Sequence, residues 1–280
     1  VLRADLRHRT AYHYDRPVRL GPQLVRLRPL PDPRRGPSPY RLQVDPAPSS
    51  LHWQLDPFGN LVARLILAQP IAYWVVDVSI ALDMTPRNPF DVLIDPDAQD
   101  WPFRYDPATA DALLMYRHPD HAGPALLALQ RTTRSHGGSI AFLLAAAAAV
   151  RDQVGYIVRM EPGVWPVERT LEGKQGSCRD SAWVLVQLLR MHGIASRFVS
   201  GYLVQFPDDK GQDSAELHAW AEAYLPGAGW LGLDATSGLM TAEGHVGLAA
   251  SPDVAGAAPL EGTVEPANVR LETSIVVTRP

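Results

Sequence analysis

Between Cys178 and Asp234 the spacing of apolar residues changes once, and that change restricts the chain to a helix lying on an antiparallel sheet. From Cys178 onward Ala182, Leu185, Val186 and Leu189 recur at three- and four-residue intervals, and Gly193 supplies a C-terminal stop. Three β-rich runs follow, at residues 197–204, 217–225 and 230–234, the last two joined by Pro226-Gly227-Ala228-Gly229. Short runs joined by a tight reversal form an antiparallel hairpin, and a helix with one apolar stripe buries it on such a surface.

Cys178 is the only cysteine in 280 residues, and it opens this helix directly after Gly176-Ser177. A helix start presents unpaired amides and the positive end of the macrodipole, which favour a thiolate and can supply a donor to an oxyanion. A structural cysteine belongs on the apolar stripe within a helix. At the first position, with Asp180 complementing the dipole in the same turn, this one is a candidate nucleophile. His218 in the second run and Asp234 at the end of the third complete a series of thiol, imidazole and carboxylate. Side chains alternate along strands, so register decides whether the last two meet. Leu225 opposite Trp230 turns them apart. Tyr224 opposite Trp230, or an intervening bulge, brings His218, Trp220 and Asp234 together, and one of these is expected. The remaining histidines, at 8, 13, 52, 118, 121, 136, 192 and 245, lack such a setting, and metal binding by any pair of them is not expected.

Upstream, residues 1–92 read as a β-rich N-terminal domain. Leu2, Ala4 and Leu6 alternate with Arg3, Asp5 and Arg7, the period of a strand with one buried face. Further strands are expected at 23–28, 40–45, 51–55, 61–67 and 73–82. Asp56-Pro57-Phe58-Gly59-Asn60 forms a turn in which Gly59 or Asn60 takes positive φ. Such punctuation predicts an antiparallel sandwich, and Arg34-Arg35 reads as part of its solvated face. Residues 93–138, rich in Pro, Asp and His, read as a connector with one helix near 124–133. Residues 139–280 read as the core, opening with an alanine-rich helix capped by Ser139. A C-terminal strand at 269–277 returns either to the first domain's sheet or to the core's. The fold class is therefore α+β.

Composition narrows the function classes. Hydrophobic residues at 46% suffice for a packed core, and a net charge of -4 gives no general attraction to nucleic acid or membrane. A lone cysteine excludes an intramolecular disulfide and a Cys-based zinc cluster, so a reducing, cytoplasmic setting is expected. The longest apolar run, residues 140–150, is too short to span a bilayer.

Taken together, Gly176-Ser177-Cys178-Arg179-Asp180-Ser181-Ala182, Arg197-Phe198-Val199-Ser200-Gly201-Tyr202, His218-Ala219-Trp220-Ala221-Glu222 and Gly229-Trp230 through Asp234-Ala235-Thr236 resemble the bacterial transglutaminase-like superfamily. The Asp56–Asn60 turn and Tyr14-Asp15-Arg16-Pro17-Val18 resemble the β-rich domain that precedes this core in bacterial members. Ser237-Gly238-Leu239 and Glu243-Gly244-His245 are similar to the form found as the N-terminal part of a much larger bacterial protein, which implies that the chain is a fragment. Ala235 stands where many relatives have proline, a change confined to local backbone stiffness.

The resemblance implies a papain-like core with Cys178 as nucleophile, His218 as general base then acid, and Asp234 orienting the imidazole. It implies attack on a peptide bond or glutamine carboxamide of a protein or peptide, with hydrolysis favoured over crosslinking. Trp165, Tyr156 and Gln175 are candidates for the second oxyanion donor, and Trp220 for shielding the ion pair. No cofactor or metal is expected, calcium included, because no cluster of alternating acidic ligands occurs. The rival reading is a catalytically silent scaffold or protein-binding module.

Overall fold

Arg3, Asp5, Arg7 and Arg9 of the first strand face solvent while Ala4, Leu6, His8 and Thr10 are buried, so a single alternation creates one inner face. The computed structural model describes residues 2–32, 36–120, 122–134, 137–207 and 212–279; Arg34-Arg35, His121 and His136 lie outside the described residues. Strands β1 (Arg3–Val18), β2 (Leu20–Val25), β3 (Tyr40–Asp45), β4 (Ser50–Leu55), β5 (Leu61–Ile66) and β6 (Ile71–Asp83) form two facing sheets with two strands from the far end of the chain. These are β14 (Leu260–Val264), which pairs with β2, and β15 (Val269–Thr278), which pairs with β1. The expected antiparallel sandwich is present, and β15 settles the open choice. The C-terminal strand belongs to the first sheet, so the assignment of residues 139–280 to one core is corrected at its end.

The second half builds on helices α1 (Pro107–Ala112), α2 (Pro124–Thr132), α3 (Ser139–Gln153), α4 (Val167–Gly173) and α5 (Cys178–Met191). Its sheet has the order β12 (Leu239–Met240), β11 (Gly229–Asp234), β10 (Ser214–Leu225), β9 (Ser196–Gln205), β13 (His245–Ser251). Helix α5 lies on the face of β10 that carries Ala219, Ala221, Ala223 and Leu225. Alternate alanines let the helix approach closely, so Leu185, Leu188 and Leu189 are fully buried. Each contributes about 1.5–3 kcal/mol of apolar transfer. The helix ends as expected at Gly193, whose φ of 78° suits glycine. Gly193 N–H donates to Arg190 O and Ile194 N–H to Leu189 O, satisfying carbonyls of the last turn.

Two other expectations are corrected. Ser139 is the first residue of α3 rather than its cap, and its Oγ donates to Ala98 O at 2.6 Å. Nor is the connector merely a tether: Leu126 and Leu129 of α2 enter the core, and Trp101 stacks on Phe142 with centroids 4.2 Å apart. In the Asp56–Asn60 turn it is Gly59 that takes positive φ, at 83°. No helix among the described residues is long and apolar enough to cross a membrane.

Candidate active site

The approach to Cys178 is a two-strand device. β7 (Gly155–Tyr156) and β8 (Gln175–Gly176) pair in parallel, setting Tyr156 beside Gly176. Ser177 then caps α5, and Asp180 secures it. The Asp180 carboxylate is 0% exposed and accepts from Ser177 N–H (2.8 Å), Ser177 Oγ–H (2.7 Å), Trp165 N–H (2.7 Å) and two Arg159 nitrogens (2.9 and 3.1 Å). Burial alone would raise this carboxyl, but the donors from Arg159, Trp165 and Ser177 outweigh it and hold it below its ordinary value. The sequence reading assigned Asp180 only a dipole role. Its buried partner Arg159 lies far enough away in the chain to carry no local signal.

Cys178 occupies the first position of α5, where a helix leaves N–H groups without intrahelical partners. It sits at the margin of the core and retains 9% exposure, unlike the fully buried Ala182 and Leu185. His218 comes to it from β10. The observed register sets Tyr224 opposite Trp230 and Ala221 opposite Leu233, the first of the two arrangements expected from the sequence. One step further places Asp234 across from Trp220, on the side of the strand that His218 shares.

The His218 ring is consequently held from one side. Its Nε2 lies 3.2 Å from Asp234 Oδ2, and since an ionised carboxylate only accepts, Nε2 carries the proton. That tautomer leaves Nδ1 as the basic nitrogen. It is buried without a strict hydrogen bond among the described residues, and Cys178 is the group beside Asp234 that acts on the ring. Burial works against charge on this imidazole, but hydrogen bonding and charge from Asp234 and Cys178 prevail and raise its pKa to about 10. Burial likewise opposes ionisation of Asp234, and hydrogen bonds from His218, His245 and Thr236 overcome it and leave the pKa lowered.

The residues expected around this centre separate clearly. Trp220 is 2% exposed and packs against Val199, Ala250 and Leu30. Its ring fills the space above Gly201, where a Cβ would overlap both the indole and Val246 O. It also lines a cavity of about 590 Å³ that includes His245, Glu222 and Trp230 but not Cys178. The Trp165 N–H is committed to Asp180, and its ring meets the guanidinium groups of Arg159 and Arg169, 5.1 and 4.1 Å from the centroid. Gln175 is exposed on β8. Tyr156, 55% exposed, is the candidate that interacts with Cys178. Partial burial, then the charges of Cys178 and Glu216, raise its pKa, so the phenol stays protonated and can donate.

His245 was missed. It was expected to lack a functional setting, yet its Nε2 lies 3.4 Å from the same Asp234 oxygen. It begins β13, at the opposite end of the sheet from β11 with β9 and β10 between, so no local sequence pattern relates the two. His218, Asp234 and His245 bring three ligand atoms within 4.8 Å of one another. A ligating imidazole normally donates its second nitrogen's proton to an acceptor. Here His245 Nδ1 instead faces the Ala242 N–H at 3.3 Å, so the set does not suit a resident metal.

A thiol at a helix start facing a histidine and aspartate on an antiparallel sheet, behind a β-sandwich, defines a papain-like architecture. Profiles of known families agree: residues 4–83 match the bacterial transglutaminase-like N-terminal region, and residues 128–235 match the transglutaminase-like superfamily. Residues 128–235 are thus a transglutaminase-like superfamily core, preceded by the N-terminal region found in bacterial members. An uncharacterized protein of Mycobacterium tuberculosis is 24% identical over 277 residues, covering 92% of this chain and 86% of its own. One from Mycobacterium leprae is 26% identical over 265 residues, covering 91% and 90%. Among solved structures, a candidate cysteine protease from Cytophaga hutchinsonii superposes with a TM-score of 0.68 at 17% identity, over 98% of this chain and 91% of that one. At that identity the likeness establishes the fold.

Proposed function

We propose that the chain cleaves amides through a thioacyl intermediate on Cys178, with hydrolysis favoured over transfer to an amine. The substrate is a protein or peptide, attacked at a peptide bond or glutamine carboxamide. The observation that carries this reading is the buried His218 ring, pinned through Nε2 by Asp234 at 3.2 Å, with the only thiol of the sequence at the start of the helix packed on the same sheet. In the proposed reaction the attacking form is the thiolate, with the proton held on the His218 imidazole.

Cys178 Sγ attacks the carbonyl carbon, and the oxyanion is received by the Cys178 N–H with the Tyr156 hydroxyl as second donor. As the C–N bond breaks, His218 Nδ1 gives its proton to the departing nitrogen. A water then loses a proton to Nδ1 and attacks the thioester, and Sγ leaves as thiolate. Asp234 keeps Nε2 protonated throughout. The preference for water over an amine rests on the fold shared with the candidate cysteine protease.

Two measurements test the reading. Iodoacetamide is expected to alkylate Cys178 rapidly at pH 6 and slowly in His218→Ala. Equal rates would favour the scaffold reading. Mass spectrometry of a glutamine-containing peptide, with and without a primary amine, separates cleavage or deamidation from amine incorporation. An amine adduct as the main product would reverse the preference for hydrolysis.

A further inference from the structure

The Asp234 carboxylate is held by more donors than a histidine partner alone requires. Oδ1 accepts from Thr236 N–H at 2.8 Å and Thr236 Oγ1–H at 2.7 Å. Oδ2 is shared between His218 Nε2 at 3.2 Å and His245 Nε2 at 3.4 Å. The protonation of His245 follows from its other nitrogen. Because the Ala242 N–H donates to Nδ1 at 3.3 Å, Nδ1 is bare and the proton of a neutral ring sits on Nε2, directed at Asp234. Trp220 meets the same ring edge to face, with centroids 5.3 Å apart, and fixes its plane.

From this geometry we infer that His245 is a positioning residue for the Cys178–His218 pair. It anchors the Asp234 oxygen onto which the His218 ring docks. Thr236 determines where Oδ1 lies, but Oδ2 can still move by rotation and tilt of the carboxylate. The His245 N–H is the remaining donor that directs Oδ2 toward His218. With both oxygens placed, the imidazole meets an acceptor already in position rather than one it must recruit. The inference rests on the thiol mechanism proposed above.

His245 makes two bonds, and two substitutions separate them. In His245→Gln the amide nitrogen stands where Nε2 was and can still donate to Asp234, while the bond to Ala242 is lost. In His245→Asn the amide oxygen stands where Nδ1 was and can still accept from Ala242, while Asp234 loses its donor. The readout is the iodoacetamide rate at Cys178 at pH 6, with thermal melting measured alongside. His245→Gln is expected to stay within about threefold of wild type, and His245→Asn to fall about tenfold or more, the effect of one hydrogen bond to a charged group. If His245 only supports the turn before β13, the order reverses, and Asn matching or exceeding Gln overturns the inference. Should wild type and His218→Ala alkylate equally, the thiol–imidazole pair itself fails and the anchor fails with it. A retained His218 effect with the reversed order sinks the anchor alone.

Discussion

Asp180→Asn is the substitution that tests most directly how the setting of Cys178 is built. The carboxylate is the common acceptor for Ser177, Trp165 and Arg159, so it joins the helix cap to the 159–165 loop. Asparagine matches its shape but offers one oxygen in place of two. Whichever way the amide turns, its NH2 faces either the Trp165 N–H and one Arg159 nitrogen, or Ser177 and the other Arg159 nitrogen. The Arg159 side chain, 4% exposed, loses its buried counter-charge. Removing one partner of a buried ion pair costs about 3–5 kcal/mol. In a protein of this size that lowers the melting temperature on the order of 10 °C. The Asp180 pKa is depressed in the folded state, so its contribution is complete above the unfolded value of about 3.9 and is lost as pH falls through the lower folded value. Urea denaturation of wild type and variant at pH 7, repeated down to pH 3, measures both quantities. A loss under about 1 kcal/mol at pH 7, or a gap that widens on acidification, would refute the argument, because either result means that the carboxylate does not carry Arg159 and the cap together.

His218 should show the opposite pH dependence. With its folded pKa raised to about 10, its contribution is complete below about 6.5 and disappears as pH rises through 10. The stability gap between wild type and His218→Gln, at most a few kcal/mol, is therefore expected to narrow between pH 7 and 10.5 in urea melts. His8 behaves as a depressed base: burial holds its pKa at about 4, so its contribution is present above about 6.5 and lost as pH falls to 4. Replacing it by glutamine is expected to flatten the acid limb of the urea midpoint by up to a few kcal/mol, and an unchanged slope would contradict a neutral buried ring. Gly201→Ala forces a methyl against Val246 O and the Trp220 indole, for an expected cost of about 1–3 kcal/mol. Gly201 also lies opposite His218 on β9, so the same variant is expected to slow Cys178 alkylation, and a wild-type rate would show that Trp220 yields without disturbing the histidine.

What was legible in the sequence was local. The stripe of Ala182, Leu185, Val186 and Leu189 specifies α5, and the need for His218 and Asp234 to share a face leaves Tyr224 opposite Trp230 or a bulge, of which the first is found. Residues 40–45 emerge as a strand with the expected bounds because their alternation is uninterrupted. Other features depend on long-range pairing. The destination of β15 is set by β1, more than 250 residues earlier, and its mostly exposed residues gave no hint of which sheet would accept it. Arg159 carried no signal in the sequence because only the fold supplies Asp180 opposite it. His245 shows the same limit: the chain must pass through β13 and the ring must reach over Trp220 before Asp234 comes within range.

That reach explains why the sandwich and the sheet that carries His218 and Asp234 depend on each other. β13 is an edge strand, and an edge exposes unpaired backbone groups. Here the N-terminal half covers them. The Asn60 side chain donates to Ala250 O at 2.9 Å and accepts from Ala250 N–H at 2.8 Å, and Leu30 N–H donates to Gly247 O at 2.8 Å. Asn60 is itself held by Asp56, which accepts from its amide at 2.8 Å. The Asp-Pro-Phe-Gly-Asn turn thus acts as a clamp on the strand whose first residue is His245. Tyr202 extends the same logic to β9. Its hydroxyl meets His8 Nδ1 at 2.9 Å, while Tyr202, Val204, Val246 and Leu248 share one core with Leu6, Val25, Leu65 and Val76 of the sandwich. Burying those side chains fixes β9 and β13, and these two strands place Gly201 and His245 against the Trp220 ring. The position of His218 and Asp234 is therefore set from three directions: by α5 below, by the hairpin register within the sheet, and by a turn nearly two hundred residues upstream that holds the sheet's edge.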